Sequence, residues 1–62
     1  MQNIQATALP SERRRTIDYL RRKARSIELQ AARAAPIVAP QLKSLAALMH
    51  IEAEALERAG AN

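Results

Sequence analysis

Two prolines, Pro36 and Pro40, lie four residues apart near the middle of a chain that is otherwise rich in helix-forming residues. Proline has no backbone N–H and disfavours helical geometry in the residue before it, so a helix must end or kink there. Alanine, leucine, arginine and glutamate are common on both sides, and glycine occurs once in 62 residues. The sequence therefore predicts two helices joined by a tight connector. One long kinked helix is the alternative, because Ile37, Val38 and Ala39 are not polar loop residues.

The first predicted helix runs from about residue 11 to residue 35. Ser11 can accept a hydrogen bond from a free backbone N–H, and Glu12 suits the positive end of the helix dipole. Apolar side chains then recur at spacings of three and four residues, which is the a/d pattern of closely packed helices. The predicted core positions of this helix are Ile17, Leu20, Ala24, Ile27, Ala31 and Ala34.

The second predicted helix runs from about residue 40 to residue 59, after a proline-rich connector at residues 36–40. Pro40 fits the first turn of a helix, where no backbone donor is needed, and Gly60 is suited to ending one. The predicted core face consists of Leu42, Leu45, Met49, Ala53 and Leu56. Leu48 and Ala59 widen this face on one side, whereas Ile51 points away from it.

A short connector makes the two helices antiparallel neighbours, and each helix of a single hairpin is then covered on one side only. A chain of this length has a small core, and it contains no cysteine for disulfides or for a structural zinc site. We therefore predict an all-α fold, a two-helix antiparallel hairpin that dimerises into a four-helix bundle. The hairpin occupies residues 10–62, and residues 1–9 form a flexible N-terminal arm.

This plan resembles the Rop type of plasmid regulator, a helical hairpin that dimerises and binds paired RNA loops. The pairs Ala24 with Ile27 and Ala31 with Ala34 are similar to the small-residue layers of that family. The double-proline connector and the clustered arginines depart from its pattern. The resemblance implies a dimeric architecture, and no functional residue is carried over from it.

Positive charge is concentrated in the first helix. The net charge is +4, and seven of the ten basic residues lie between Arg13 and Arg25, with Asp18 as the only acid among them. A helical projection places much of this charge away from the core positions, which predicts an anion-binding surface. Its arginines are Arg14, Arg15, Arg21, Arg22 and Arg25. The alternative is a solvated helix face held by pairs such as Asp18–Arg22 and Glu28–Arg25.

Nucleic acid is the first partner that we predict, because its phosphates match the arginines. The alternative is occlusion of an acidic host protein, such as a transcription regulator or a defence component. Tyr19 and Leu29 are apolar residues near the arginines, and such residues often anchor protein interfaces. A membrane partner is not expected, because the first helix lacks a bulky apolar face.

The sequence predicts no catalytic site, cofactor or metal ion. His50 has Glu54 and Glu57 one and two turns further on, but we interpret it as a surface histidine on a charged helix. A plausible base is not found near Ser11, Thr16, Ser26 or Ser44 in sequence, and there is no glycine-rich phosphate loop. We expect a non-enzymatic regulator of the kind that phages and plasmids encode. A cytoplasmic location is expected because the start of the chain lacks the pattern of a signal peptide.

Overall fold

The structure is a computed structural model that describes residues 10–61 of the chain. It consists of two helices, α1 (Pro10–Arg33) and α2 (Ala39–Ala61), which pack against each other along their length. The predicted all-α hairpin is therefore confirmed. The predicted arm at residues 1–9 lies outside the described residues.

Helix α1 begins one residue before its predicted start. Pro10 occupies the first turn, where its missing N–H costs nothing, so Ser11 lies inside the helix and not at its cap. Thr16 donates a hydrogen bond from Oγ1 to the backbone carbonyl of Glu12 at 3.1 Å. The helix therefore starts with a proline and not with a serine cap.

Helix α1 ends at Arg33, two residues before the predicted end. The backbone N–H of Ala34 bonds to the carbonyl of Ala31 at 3.2 Å, which tightens the last turn. Ala35 then leaves helical geometry because Pro36 follows it. The break is complete, so the alternative of one long kinked helix is wrong.

The connector is a single hydrogen-bonded turn. The carbonyl of Ala35 accepts from the backbone N–H groups of Val38 at 2.9 Å and Ala39 at 3.0 Å. Pro36 lies within this turn, where it needs no donor. Ile37 is 82% exposed at the tip of the hairpin. Helix α2 begins directly after the turn, one residue before its predicted start, with Pro40 in its first turn.

Gly60 continues α2 and does not end it, since no glycine of the described residues has a positive φ. Its role is spatial. A Cβ atom added at Gly60 would lie 2.9 Å from Nη1 and 3.1 Å from Cδ of Arg13. The missing side chain therefore gives room for the Arg13 side chain at the open end of the hairpin.

The core is a narrow line of small side chains between the helices. Ile17 and Leu20 pack with Ala53, and farther along the hairpin Ala24 and Ile27 pack with Ala46. Four of the seven buried hydrophobic side chains in the described part of the chain are alanines. These seven are Ile17, Leu20, Ala24, Ile27, Ala31, Ala46 and Ala53. Alanine at these places lets the two backbones approach closely.

The remaining predicted core residues are less covered. Ala34, Leu42, Met49 and Leu56 are half-buried. Leu45 is 46% exposed, and Ala46 takes the place in the core that Leu45 was expected to fill. The α2 residues that pack against α1 are 42, 46, 49, 53 and 56, with alternating spacings of four and three. Leu45 also lies three residues after Leu42 and four before Met49, so spacing alone did not separate the two choices.

Neither α1 nor α2, the two helices that the structure describes, combines the length and apolar character needed to cross a membrane.

Candidate nucleic-acid interface

The two flanks of the helix pair differ in charge. With Ile17 and Ala46 at heptad position a, the e positions of both helices line one flank and the g positions line the other. The e flank carries six ionisable residues that face each other across the hairpin. We call it the charged side, and it comprises Arg14, Arg21 and Glu28 of α1 and Lys43, His50 and Glu57 of α2.

Glu57 of α2 holds two of the predicted binding arginines. Arg21 Nη2 donates to Glu57 Oε1 at 2.5 Å, and Arg14 Nη1 lies 3.8 Å from Glu57 Oε2. Arg14 also pairs with Asp18 at 3.7 Å, one turn further along α1. Asp18 therefore pairs with Arg14 and not with Arg22, the pair named in the alternative of a solvated helix face. Arg14 and Arg21 connect the two helices and are not free to meet a partner without breaking these contacts.

Glu28 also bonds across the hairpin. Its Oε2 lies 3.1 Å from Nε2 of His50, so Glu28 makes a contact between the helices and not the Glu28–Arg25 pair of the alternative interpretation. Within residues 10–61, no three histidine or acidic side chains gather in a way that could hold a metal ion. The contact with Glu28 gives His50 a structural role that connects α1 to α2.

Three arginines remain on the edge of α1 that faces away from α2. Arg15 and Arg22 occupy the f positions and Arg25 a b position, and all three are exposed. Within the described part of the chain, none of them lies within 4.0 Å of a carboxylate. Arg15 and Arg22 are two turns apart, which is about 10 Å along the helix axis. We call Arg15, Arg22 and Arg25 the basic edge.

The two apolar candidates lie on different surfaces. Leu29 is 61% exposed and continues the f line of Arg15 and Arg22. Tyr19 is 56% exposed at a c position, on the flank opposite the charged side. The seven predicted binding residues thus separate into an inter-helix pair, the basic edge with Leu29, and Tyr19. A helical projection of α1 alone could not reveal this division, because it depends on where α2 lies.

An open surface cavity of about 570 Å³ lies on the charged side. Its walls are Glu28, Lys43, Ala47, His50, Ile51 and Glu54. Sequence reasoning missed this feature. The available signal was the seven-residue spacing of Lys43 and His50, which places both on one flank of α2. The lining has charges of both signs and does not form a concentrated anion site.

Comparison with known proteins gives no further assignment: no family model, curated protein or solved structure matches the chain.

Proposed function

We propose that this chain is a small, non-enzymatic regulatory protein that binds nucleic acid through the basic edge of α1. The observation that carries the proposal is that Arg15, Arg22 and Arg25 are exposed, point away from α2 and have no acidic partner within the described residues. Arginines that hold the fold together should be paired, as Arg14 and Arg21 are. Those on the basic edge are available to a ligand.

The chemistry of the basic edge favours phosphate. A guanidinium donates two parallel hydrogen bonds to one phosphate, and it releases condensed counterions from the nucleic acid as it binds. Because no internal ion pair has to break first, these three arginines gain the full benefit of each phosphate contact. Such contacts fix the position of a protein on a duplex but do not read its bases. We therefore propose recognition of shape and backbone.

The test compares two triple variants of equal net charge. Arg15→Gln, Arg22→Gln and Arg25→Gln together remove the basic edge. Arg33→Gln, Lys43→Gln and Arg58→Gln remove the same charge from exposed positions elsewhere. Binding of labelled RNA and DNA duplexes is measured by fluorescence anisotropy, and folding by circular dichroism.

We expect the basic-edge variant to lose at least tenfold in affinity, while the control loses much less and both remain helical. An equal loss in both variants would mean that only overall charge attracts the nucleic acid, and the proposed site would be wrong. Arg21 is left unchanged in this design because its loss would also remove the contact with Glu57.

A second candidate is occlusion of an acidic host protein, and the exposed Leu29 favours it. A leucine that is 61% exposed beside Arg22 and Arg25 is suited to an interface anchor and is not required for phosphate binding. The test is a pull-down from host lysate treated with nuclease. A protein that wild type retains and Leu29→Ser releases would support this candidate, whereas loss of all bound material on nuclease treatment would oppose it.

We further propose that the hairpin works as a homodimer in a four-helix bundle. The support is the small core, in which only Ile17, Leu20 and Ile27 are buried side chains larger than alanine among residues 10–61. Domains of this size rarely obtain enough stability from so little buried apolar surface. A second copy would supply the missing contacts without a disulfide or a metal ion.

A further inference from the structure

The flank opposite the charged side is long and nearly free of charge. It is lined by the g and c positions of both helices. Between residues 16–33 of α1 and 41–59 of α2, its only charged side chains are Lys23, Arg33 and Glu52. Its exposed large apolar side chains are Tyr19, Leu45 and Leu48. We call this surface the apolar side.

The half-buried core residues of α2 also contribute to the apolar side. Leu42, Met49 and Leu56 all occupy d positions, which tilt toward the flank of the g positions. The fully buried Ala46 and Ala53 occupy a positions, which tilt toward the charged side. The larger side chains of α2 are thus turned toward the apolar side, where the hairpin itself covers them only in part.

We propose that a second copy of this chain docks on the apolar side, an inference that rests on the proposed homodimer. Lys23 and Glu52 lie at nearly the same height on this face, one on each helix, and have no ion-pair partner within the described residues. A two-fold axis parallel to the helices places α1 of one copy over α2 of the other. Each Lys23 then meets Glu52 of the second copy, so the face is complementary to itself.

The size of the apolar side fits such a dimer. Residues 16–33 of α1 span about 27 Å along the helix axis, and two packed helices are about 20 Å wide. The resulting face of roughly 540 Å² in flat projection is of the same order as the ~800 Å² of accessible surface that each partner buries in a standard interface. The charged side is less suitable, because docking there would bury Arg14, Arg21, Glu28 and Glu57 at a high desolvation cost.

The first test uses two large aliphatic residues of nearly equal exposure. Leu48 on the apolar side is 62% exposed, and Ile51 on the outer edge of α2 is 58% exposed. Since neither is buried within one hairpin, Leu48→Glu and Ile51→Glu should alter the fold of a single chain equally little. Dissociation constants are measured by sedimentation equilibrium, and helicity is recorded as the folding control.

We expect Leu48→Glu to weaken the dimer by at least about a hundredfold, because the carboxylate would enter the interface from both copies. Ile51→Glu should leave the dimer unchanged. A wild-type dimer that Leu48→Glu does not weaken would overturn the proposed face while leaving the homodimer standing. A wild-type chain that stays monomeric and folded would overturn both.

The second test mixes two charge-reversed chains. With Lys23→Glu, positions 23 and 52 are both acidic, and with Glu52→Lys they are both basic. Repulsion within one hairpin is the same in every complex, so a preference for mixed dimers reports contact between copies only. With one variant labelled with ¹⁵N, native mass spectrometry should show a heterodimer favoured about tenfold or more over the statistical mixture. The control pair Lys43→Glu and Glu28→Lys, at similar heights on the two helices of the charged side, should mix statistically. The reverse pattern would place the interface on the charged side and overturn the proposal.

Discussion

Glu57 determines which arginines of α1 are held in ion pairs between the two helices. Its two carboxylate oxygens bind Arg21 and Arg14 at once, across the open half of the hairpin. These side chains are 37–60% exposed, so solvent and salt weaken the attraction and each pair contributes modestly. The consequence for the proposed function is larger, because Arg15, Arg22 and Arg25, unpaired within the described part of the chain, are then the arginines that we propose for binding.

The first residue-level prediction concerns Glu57→Gln. Loss of the carboxylate leaves Arg14 and Arg21 without their partner on α2, which should lower the free energy of unfolding by about 0.5–1 kcal/mol at low salt. Urea unfolding at 50 mM and 1 M NaCl measures this difference, which should shrink as salt screens the pairs.

Glu54→Gln is the matched control for this prediction, because Glu54 lies one turn earlier and makes no ion pair within the described residues. It should leave the unfolding free energy nearly unchanged. Equal effects of Glu54→Gln and Glu57→Gln would show that net charge alone is responsible.

The contact between α1 and α2 depends on alanine. Ala24 and Ala53 are completely buried, and their short side chains let the helix backbones approach. Larger residues at d positions, such as Leu20 and Ile27, fill the space beside them. In α2 the a positions are small and the d positions are large, which turns the apolar bulk of this helix toward one flank and is the basis of the proposed dimer face.

The prediction for this contact is that Ala24→Leu destabilises the protein. Three additional carbon atoms at a fully buried position must push the helices apart, which typically costs ~1–3 kcal/mol. In a domain this small, each kcal/mol lowers the melting temperature by about 4–8 °C. Thermal unfolding followed by circular dichroism measures the change.

Ala32→Leu provides the comparison, because Ala32 is exposed on the same helix. It should melt within a degree or two of wild type. If Ala24→Leu and Ala32→Leu melted alike, the close approach of the two backbones would be wrong.

The two helices and their packing into a hairpin could be predicted from the sequence, because proline geometry and three-and-four spacing are local signals. The prolines divided α1 from α2, and five of the six core positions predicted for α1 are buried. Which residues of α1 and α2 contact each other could not be predicted. Whether Leu45 or Ala46 enters the core depends on how α2 is rotated against α1, and the spacing of apolar residues allowed both.

The candidate site was less predictable than the fold for the same reason. Projection of α1 alone placed Arg14 and Arg21 on the surface, which is correct, but it could not show that Glu57 lies beside them. Long-range ion pairs form between residues 36 positions apart in the chain, and only the packed hairpin defines them. The basic edge was visible in sequence, while its separation from the inter-helix arginines was not.

At the level of the whole molecule, the three surfaces have separate proposed roles. The charged side holds α1 to α2, the apolar side receives a second copy, and the basic edge faces outward. A dimer built in this way carries two basic edges, each turned away from the dimer interface. Six arginines are then available to phosphates, and association with nucleic acid does not compete with association between copies.

The most direct test of this account is the salt dependence of nucleic-acid binding by the unaltered protein. Affinity for a labelled duplex is measured by fluorescence anisotropy between 50 and 200 mM NaCl, at protein concentrations where light scattering gives about twice the 6.9 kDa chain mass. The two basic edges of the proposed dimer face opposite sides of the bundle, so one duplex contacts one edge. Three phosphate contacts from that edge should lower the affinity about fortyfold over this range. A protein that binds no duplex at 50 mM NaCl, or whose affinity is unchanged across the range, would contradict the account.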